Sequence, residues 1–284
     1  DLGTTYSCVG VYHHLDNRID IIKSNSGKEK TPSYVSFTDD GIFVGEDAEN
    51  RAVFYPTNTV FDILTLIGVK YTDQKVQDGI KYWPFKVIPD ESSHPIIEVQ
   101  YQGETKHFSP EEIIAIILRY MKELAENYLK EKVSDVVITV PATFGIIERQ
   151  SIIHSCLKAE LNVIRFIPKS VAAAIAFYDL NKSNIDRSIL VYDFGGGSIE
   201  SSIVSNHGNM FCVKSMSGES NLGGENINNN MLDYSINCFH EKYKNKDTLL
   251  PRPLMSLRKS CEESKKVLTT VEKTSICCQS FYNQ

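Results

Sequence analysis

The feature that most restricts the fold is a pattern that occurs twice, once at the start of the chain and once past its middle. The apolar run Ile189-Leu190-Val191-Tyr192 ends on Asp193; Gly195, Gly196 and Gly197 follow, and Ser198 opens a second run through Val204. Apolar runs separated by glycines predict two strands joined by a tight turn. Glycines there can take φ > 0 and leave their N–H groups uncovered, so the backbone can close on an anion. A carboxylate at the strand end can hold the water shell of Mg²⁺. The plain alternative is a flexible hairpin tip with an incidental aspartate. The chain begins Asp1-Leu2-Gly3-Thr4-Thr5-Tyr6 and runs on through Ser7 to Tyr12, repeating the order aspartate, apolar residue, glycine, small polar residues, strand. Two equivalent hairpins predict a duplicated fold whose turns face each other across a cleft and hold one polyphosphate. Thr4, Thr5 and Ser198 would add hydroxyl donors.

With 284 residues the chain is long enough for two lobes and a sizeable core. A formal net charge of −6 without a long basic run argues against nucleic acid as the main partner. No stretch of about 18 apolar residues occurs, so no transmembrane helix is expected. Asp1 stands inside an expected strand without a preceding methionine, so the sequence reads as clipped. The seven cysteines are irregularly spaced, with no CxxC pair and no Cys/His cluster of zinc spacing. They read as reduced, mostly buried thiols of an intracellular protein, Cys8 and Cys212 lying in the core.

Strands are expected at 6–12 and 18–23 around a turn at 13–17, then at 34–37 and 42–44. Helical composition over 46–55 stops before Pro56, and TVFDILTLIG (59–68) reads as a buried helix ending on glycine. Ser109, Pro110 and Glu112 form a capping box for the clearest helix, 109–130, whose Ile113, Ile117, Met121, Leu124 and Tyr128 repeat at helical spacing. A buried-type strand at 136–140 is stopped by Pro141; helix 146–159, strand 163–167 and a small-residue helix at 170–178 follow. The polar stretch 181–187 is the expected boundary between lobes. Past the second glycine turn come a strand at 210–215, a glycine- and serine-rich loop at 217–224, a helix at 225–244 with Met231, Tyr234 and Cys238 inward, a helix at 254–268 and a last strand at 274–282. Arg258-Lys259 and Lys265-Lys266 read as a solvated charged face. Strands alternating with helices indicate an α/β protein.

In this order, DLGTTYSCVGVY, TPSYVSF, NTVFD, LIG, VVITVPATF, LNVIRFI, AAAIA, DFGGGS, LGGEN and SCEESKKVL resemble the nucleotide-binding domain of the seventy-kilodalton heat shock chaperone family (heat shock protein 70), most closely its cytosolic members. A sugar kinase or actin-type relative would share the hairpins but not NTVFD, VPATF and LGGEN in register. The resemblance implies an actin-like duplicated α/β fold with two lobes around a nucleotide cleft. Residues 1–182 would form lobe I, with 31–106 its outer subdomain, and 183–284 the first part of a truncated lobe II, without the peptide-binding domain. The implied cofactors are ATP or ADP and Mg²⁺. Gly3, Thr4, Thr5 and Tyr6 would be the first phosphate loop and Gly195, Gly196, Gly197 and Ser198 the second. Asp1 and Asp193 would hold hydrated Mg²⁺, and Asp193 and Ser198 would serve catalysis. Glu262, Lys265, Lys266 and Thr269 would cradle adenosine, while Pro141 and Arg149 would signal between domains.

Two departures stand out against that resemblance. Leu64 stands where the family has a lysine that reaches the γ-phosphate, and Lys169 stands where it has a glutamate near the Mg²⁺ shell. Phosphoryl transfer depends on positioning and electrostatics, so these substitutions predict impaired hydrolysis. A lysine at 266 in place of an arginine predicts weaker adenine stacking. The expected function is the ATP-binding domain of a chaperone that assists protein folding, in the cytoplasm and also the nucleus. Its partners would be unfolded client proteins, J-domain co-chaperones and nucleotide-exchange co-chaperones, with neither nucleic acid nor membrane. The alternatives are a relative that holds nucleotide or competes for co-chaperones without hydrolysis, and a decayed truncated product.

Overall fold

The computed structural model describes residues 1–13, 17–181, 187–208, 210–244 and 250–278. The first half runs β1 (Tyr6–Ser7), β2 (Gly10–His13), β3 (Arg18–Ile21), β4 (Thr31–Pro32), β5 (Val35–Thr38), β6 (Gly41–Val44), α1 (Glu46–Arg51), β7 (Thr59–Val60), α2 (Gln74–Ile80), β8 (Lys86–Pro89), β9 (Pro95–Tyr101), β10 (Glu104–Phe108) and α3 (Pro110–Leu129). It continues with β11 (Asp135–Val140), α4 (Ile146–Lys158), β12 (Asn162–Pro168), α5 (Lys169–Asn181), β13 (Arg187–Phe194), β14 (Ile199–His207), β15 (Met210–Glu219), α6 (Gly224–Tyr243) and α7 (Pro251–Val267). The chain mixes strands and α-helices, which alternate one for one only from β6 to β8 and from β10 to β13. The described strands pair as short antiparallel sheets, apart from the parallel pair β11–β12.

The α3 start follows its sequence signal. Ser109 Oγ accepts from the Glu112 N–H at 3.3 Å, and the Ser109 N–H donates to Glu112 Oε2 at 3.0 Å. This satisfies two N–H groups that a helix start would otherwise leave unpaired. Its apolar stripe enters the main core, where Ile113, Ile114 and Ile117 meet Phe37, Phe61 and Ile152. Among the described residues beyond Leu161, the only buried member of that core is Met255. A separate small cluster of Leu232, Leu257 and Cys261 holds α6 against α7. On β13, Leu190, Tyr192 and Phe194 alternate along an exposed face.

Several expectations need correction. Residues 59–68 form no α-helix: Thr59 and Val60 pair with Ser36 and Val35 of β5, Asp62 takes φ 55, and only a 3₁₀ turn, Ile63–Leu66, follows. A short run that is apolar on several faces carries no clear period to separate strand from helix. The strand at 6–12 is split into β1 and β2, helix 46–55 ends at Arg51, and α2 was not anticipated because it buries only Val76. β15 extends to Glu219, into the expected loop. Residues 274–278 are not strand, and 279–282 lie outside the described residues. Cys156 and Cys261 are buried, but Cys212 and Cys238 are exposed and Cys8 is half-buried. On α6 the buried residues are Asn228 and Leu232, while Tyr234 is exposed. The expected turn at 13–17 and lobe boundary at 181–187 fall mostly outside the described residues.

Candidate nucleotide site

The two glycine turns are built alike and meet. In the first, the Cys8 N–H donates to the Asp1 carbonyl at 2.8 Å, closing a turn over the residues between them. In the second, Asp193 pairs across the hairpin with Glu200, and the Gly195 N–H donates to the Ser198 carbonyl at 2.9 Å. Ser33 clamps the first turn: its Oγ donates to the Gly3 carbonyl at 2.7 Å and its N–H to the Thr5 carbonyl at 2.9 Å. A β-carbon at Gly196 would lie 1.9 Å from Thr5 Oγ1, and one at Gly197 2.8 Å from Thr4 Oγ1. Only glycine lets the turns approach this closely.

Gly223 and Gly224 bring α6 against the back of the second turn. The Gly224 N–H donates to the Gly195 carbonyl at 2.9 Å and the Glu225 N–H to the Gly196 carbonyl at 2.8 Å. Helix-start donors that would otherwise face solvent thus hold the turn in place.

Between the turns lies a cleft of about 610 Å³. Gly3, Thr4, Thr5, Tyr6, Gly195, Gly196, Gly197 and Ser198 all line it, together with Asp1, Asp193 and Lys169. Thr5, Tyr6 and Lys30 also line an adjoining pocket of about 280 Å³, which contains Glu262 and Lys266. Lys266 Nζ donates to the Tyr6 hydroxyl at 3.2 Å, joining α7 to the first turn. Burial alone would raise the Glu262 carboxyl, but hydrogen bonds from Lys265, Asn228 and Lys266 hold it below the usual range. Lys265 also donates to the Gly224 carbonyl at 3.2 Å. Thr269 is exposed, donates to the Lys266 carbonyl and lines neither space.

The substituted positions differ in placement. Leu64 is half-buried against the main core and is not among the cleft-lining residues. Lys169, the first residue of α5, reaches into the cleft and places Nζ 3.1 Å from Asp1 Oδ1. The Thr139 hydroxyl donates to the same oxygen at 2.9 Å. Burial pushes the Lys169 ammonium below its usual range, while Asp193 and Glu200 draw it back up. Asp1, expected to hold hydrated Mg²⁺ together with Asp193, does not fit that role as it stands, because an ammonium already engages it. Among the described residues, no group of three or more His, Cys, Asp or Glu side chains is arranged to hold a metal.

Pro141 and Arg149 do not line the cleft. Pro141 follows β11, and the next N–H, of Ala142, donates to Glu200 Oε2 at 2.8 Å, tying that strand end to the second hairpin. Arg149 donates to the Phe144 carbonyl at 3.0 Å and lies over the Phe166 ring.

Sequence reasoning missed a buried ionic centre beside the cleft. Arg258, expected on a solvated face, is 4% exposed. Its guanidinium donates to Glu225 Oε2 at 2.5 Å and to Asp62 Oδ2 at 3.3 Å. Trp83 Nε1 donates to the same Asp62 oxygen at 3.2 Å. Burial and the nearby Glu225 raise the Asp62 carboxyl to about 7, against the pull of Arg258. The only signal for this was an aspartate after an apolar run and an arginine beside the apolar positions of α7, far apart in sequence.

Among the described residues no helix is long and apolar enough to cross a membrane. A family model described as Hsp70 protein matches residues 1–283. Similar proteins include a heat shock 70 kDa protein 2 of Paracoccidioides lutzii, 43% identical over 282 residues, covering 99% of this chain and 43% of that protein. A ribosome-associated molecular chaperone of Zygosaccharomyces rouxii is 43% identical over 284 residues, covering 100% of this chain and 46% of its own length. The heat shock cognate 70 kDa protein 3 of Dictyostelium discoideum is 42% identical over 287 residues, covering 100% and 45%. The chain spans less than half the length of these relatives. With the family model matched along almost its whole length, and both glycine turns inside the match, the chain belongs to the Hsp70 family.

Proposed function

We infer that the chain is the ATP-binding domain of a heat shock protein 70-type chaperone, with lobe I over 1–182 and the first part of lobe II over 183–284, and with impaired ATP hydrolysis. The observation that carries this reading is the contact of the two glycine turns, Thr5 against Gly196, above a cleft that both aspartates line. Backbone N–H groups and the hydroxyls of Thr4, Thr5 and Ser198 would hold the phosphates. The adjoining pocket with Glu262 and Lys266 would take the nucleoside. Unfolded client proteins, J-domain co-chaperones and nucleotide-exchange co-chaperones, in the cytoplasm, follow as the partners of this reading, and Pro141 and Arg149 as its signalling positions.

Hydrolysis is impaired on this reading because Leu64 brings no charge to a transferring phosphoryl group and Lys169 cannot accept a hydrogen bond from an attacking or metal-bound water. Single-turnover ATP hydrolysis in Mg²⁺ should run roughly a hundredfold slower than in the Leu64→Lys, Lys169→Glu double variant. Equal rates would remove both positions from the account. A second reading, a nucleotide-holding regulator without useful turnover, is favoured by the Lys169–Asp1 pair. It predicts that ATP is bound and remains uncleaved over many binding lifetimes.

A further inference from the structure

We propose that Lys169 stands in for the divalent cation of this cleft, so that the chain binds a nucleoside di- or triphosphate without Mg²⁺. The inference rests on the nucleotide reading of the cleft and concerns how its charge is balanced.

A polyphosphate entering between the turns meets carboxylates. Asp1, Glu29 and Asp193 all line the cleft, and Glu200 is buried behind it at 6% exposure. Unneutralised, they would repel an anionic ligand, and some cation must lie between them and the phosphates. Lys169 holds that position: its ammonium pairs with Asp1 Oδ1 at 3.1 Å and interacts electrostatically with Asp193 and Glu200. Its side chain is only 22% exposed. It springs from the first turn of α5, a 13-residue helix. A lysine there is unfavourable against the helix dipole unless carboxylates face it, and here they do.

An ammonium has three donors and no acceptor. The bond to Asp1 leaves two donors for phosphate oxygens, which a lysine binds as a point charge. A hydrated divalent ion seeking Asp1 would have to compete with that ammonium and with the Thr139 hydroxyl on the same carboxylate oxygen. Among the cleft-lining side chains Lys30 is the other cation. The site therefore carries its own positive charge on the wall where a metal would otherwise be required.

The test is equilibrium binding of fluorescently labelled ADP, in EDTA and in excess MgCl₂, for the full chain, Lys169→Glu and Lys169→Met. Thermal melts without nucleotide establish that each variant is folded. For the unaltered chain, the dissociation constants in the two media should agree within about threefold. Lys169→Glu should need the metal, losing at least about tenfold in affinity on chelation. Lys169→Met, folded but uncharged there, should bind at least about tenfold more weakly than the unaltered chain in EDTA. A loss of about tenfold or more on chelating the metal from the unaltered chain would overturn the inference. So would a folded Lys169→Met that keeps full affinity in EDTA. Absence of binding in both media would overturn the nucleotide reading itself, and the inference with it.

Discussion

The Gly196→Val substitution is expected to weaken nucleotide binding by roughly ten- to a hundredfold while leaving a cooperative melt. A β-carbon at this position lies 1.9 Å from Thr5 Oγ1 and 3.0 Å from Thr5 Cβ. The Gly196 backbone cannot swing away, because its carbonyl accepts the Glu225 N–H at 2.8 Å. The clash therefore falls between the turns and is relieved by pushing them apart. Overpacking of this kind costs about 1–3 kcal/mol. The core of the first half lies elsewhere, around Phe37, Ile113 and Ile152, so the loss appears in the cleft and not in the fold. Calorimetric titration with ADP checks this, with Gly145→Ala as the control. There the added carbon meets only the tip of the Glu148 side chain, at 3.1 Å, and affinity should be retained.

Arg258→Ala should cost about 3–5 kcal/mol of stability, the scale for removing one partner of a buried ionic group. The guanidinium serves two carboxylates, Asp62 beside the 3₁₀ turn and Glu225 on α6. Alanine leaves Asp62 buried, and Glu225 half-buried, without the guanidinium that pairs them. Its loss also removes a contact between α7 and the main core, whose Phe61 ring lies under the guanidinium. Chemical denaturation monitored by tryptophan fluorescence reads this directly, since Trp83, the one tryptophan of the chain, donates to Asp62.

The same centre sets a pH dependence. Asp62 is raised from 3.8 to about 7, first by burial and then by Glu225. A carboxyl raised by folding binds its proton more tightly in the native state than in the unfolded chain. Its contribution to stability is complete below the unfolded value and is lost as pH rises through the native one. Stability should therefore fall between about pH 4 and pH 7 from this group, and Asp62→Asn should flatten that part of the profile. A profile rising over this window for the unaltered chain, unchanged in the variant, would contradict the assignment.

Much of the cleft was legible in the sequence because its parts are local. Each glycine turn is a contiguous pattern, and aspartate, glycines and hydroxyls arrive together on the few residues that fold into it. The Ser109–Glu112 capping box was legible for the same reason. What escaped were the long-range pairings. Arg258 looked like one of several basic residues on α7, and only packing against Asp62 and Glu225 makes it buried. Lys169 was legible as an altered charge, but its seat on Asp1 depends on the end of β12 and the start of α5 meeting the first turn. Residues 59–68 misled because a short, mostly apolar run fits a buried strand, a turn and a helix equally well. Ser33, two residues past β1's partner Thr31, gave no sequence signal for its grip on Gly3.

The most direct measurement of the central claim is amide hydrogen exchange with and without ATP. If both turns close on one ligand, nucleotide should slow exchange in residues 3–6 and in 195–198 together, at the same ATP concentration. Protection of one segment without the other, or saturation of the two at different concentrations, would mean that the turns do not share a polyphosphate, and would contradict the account.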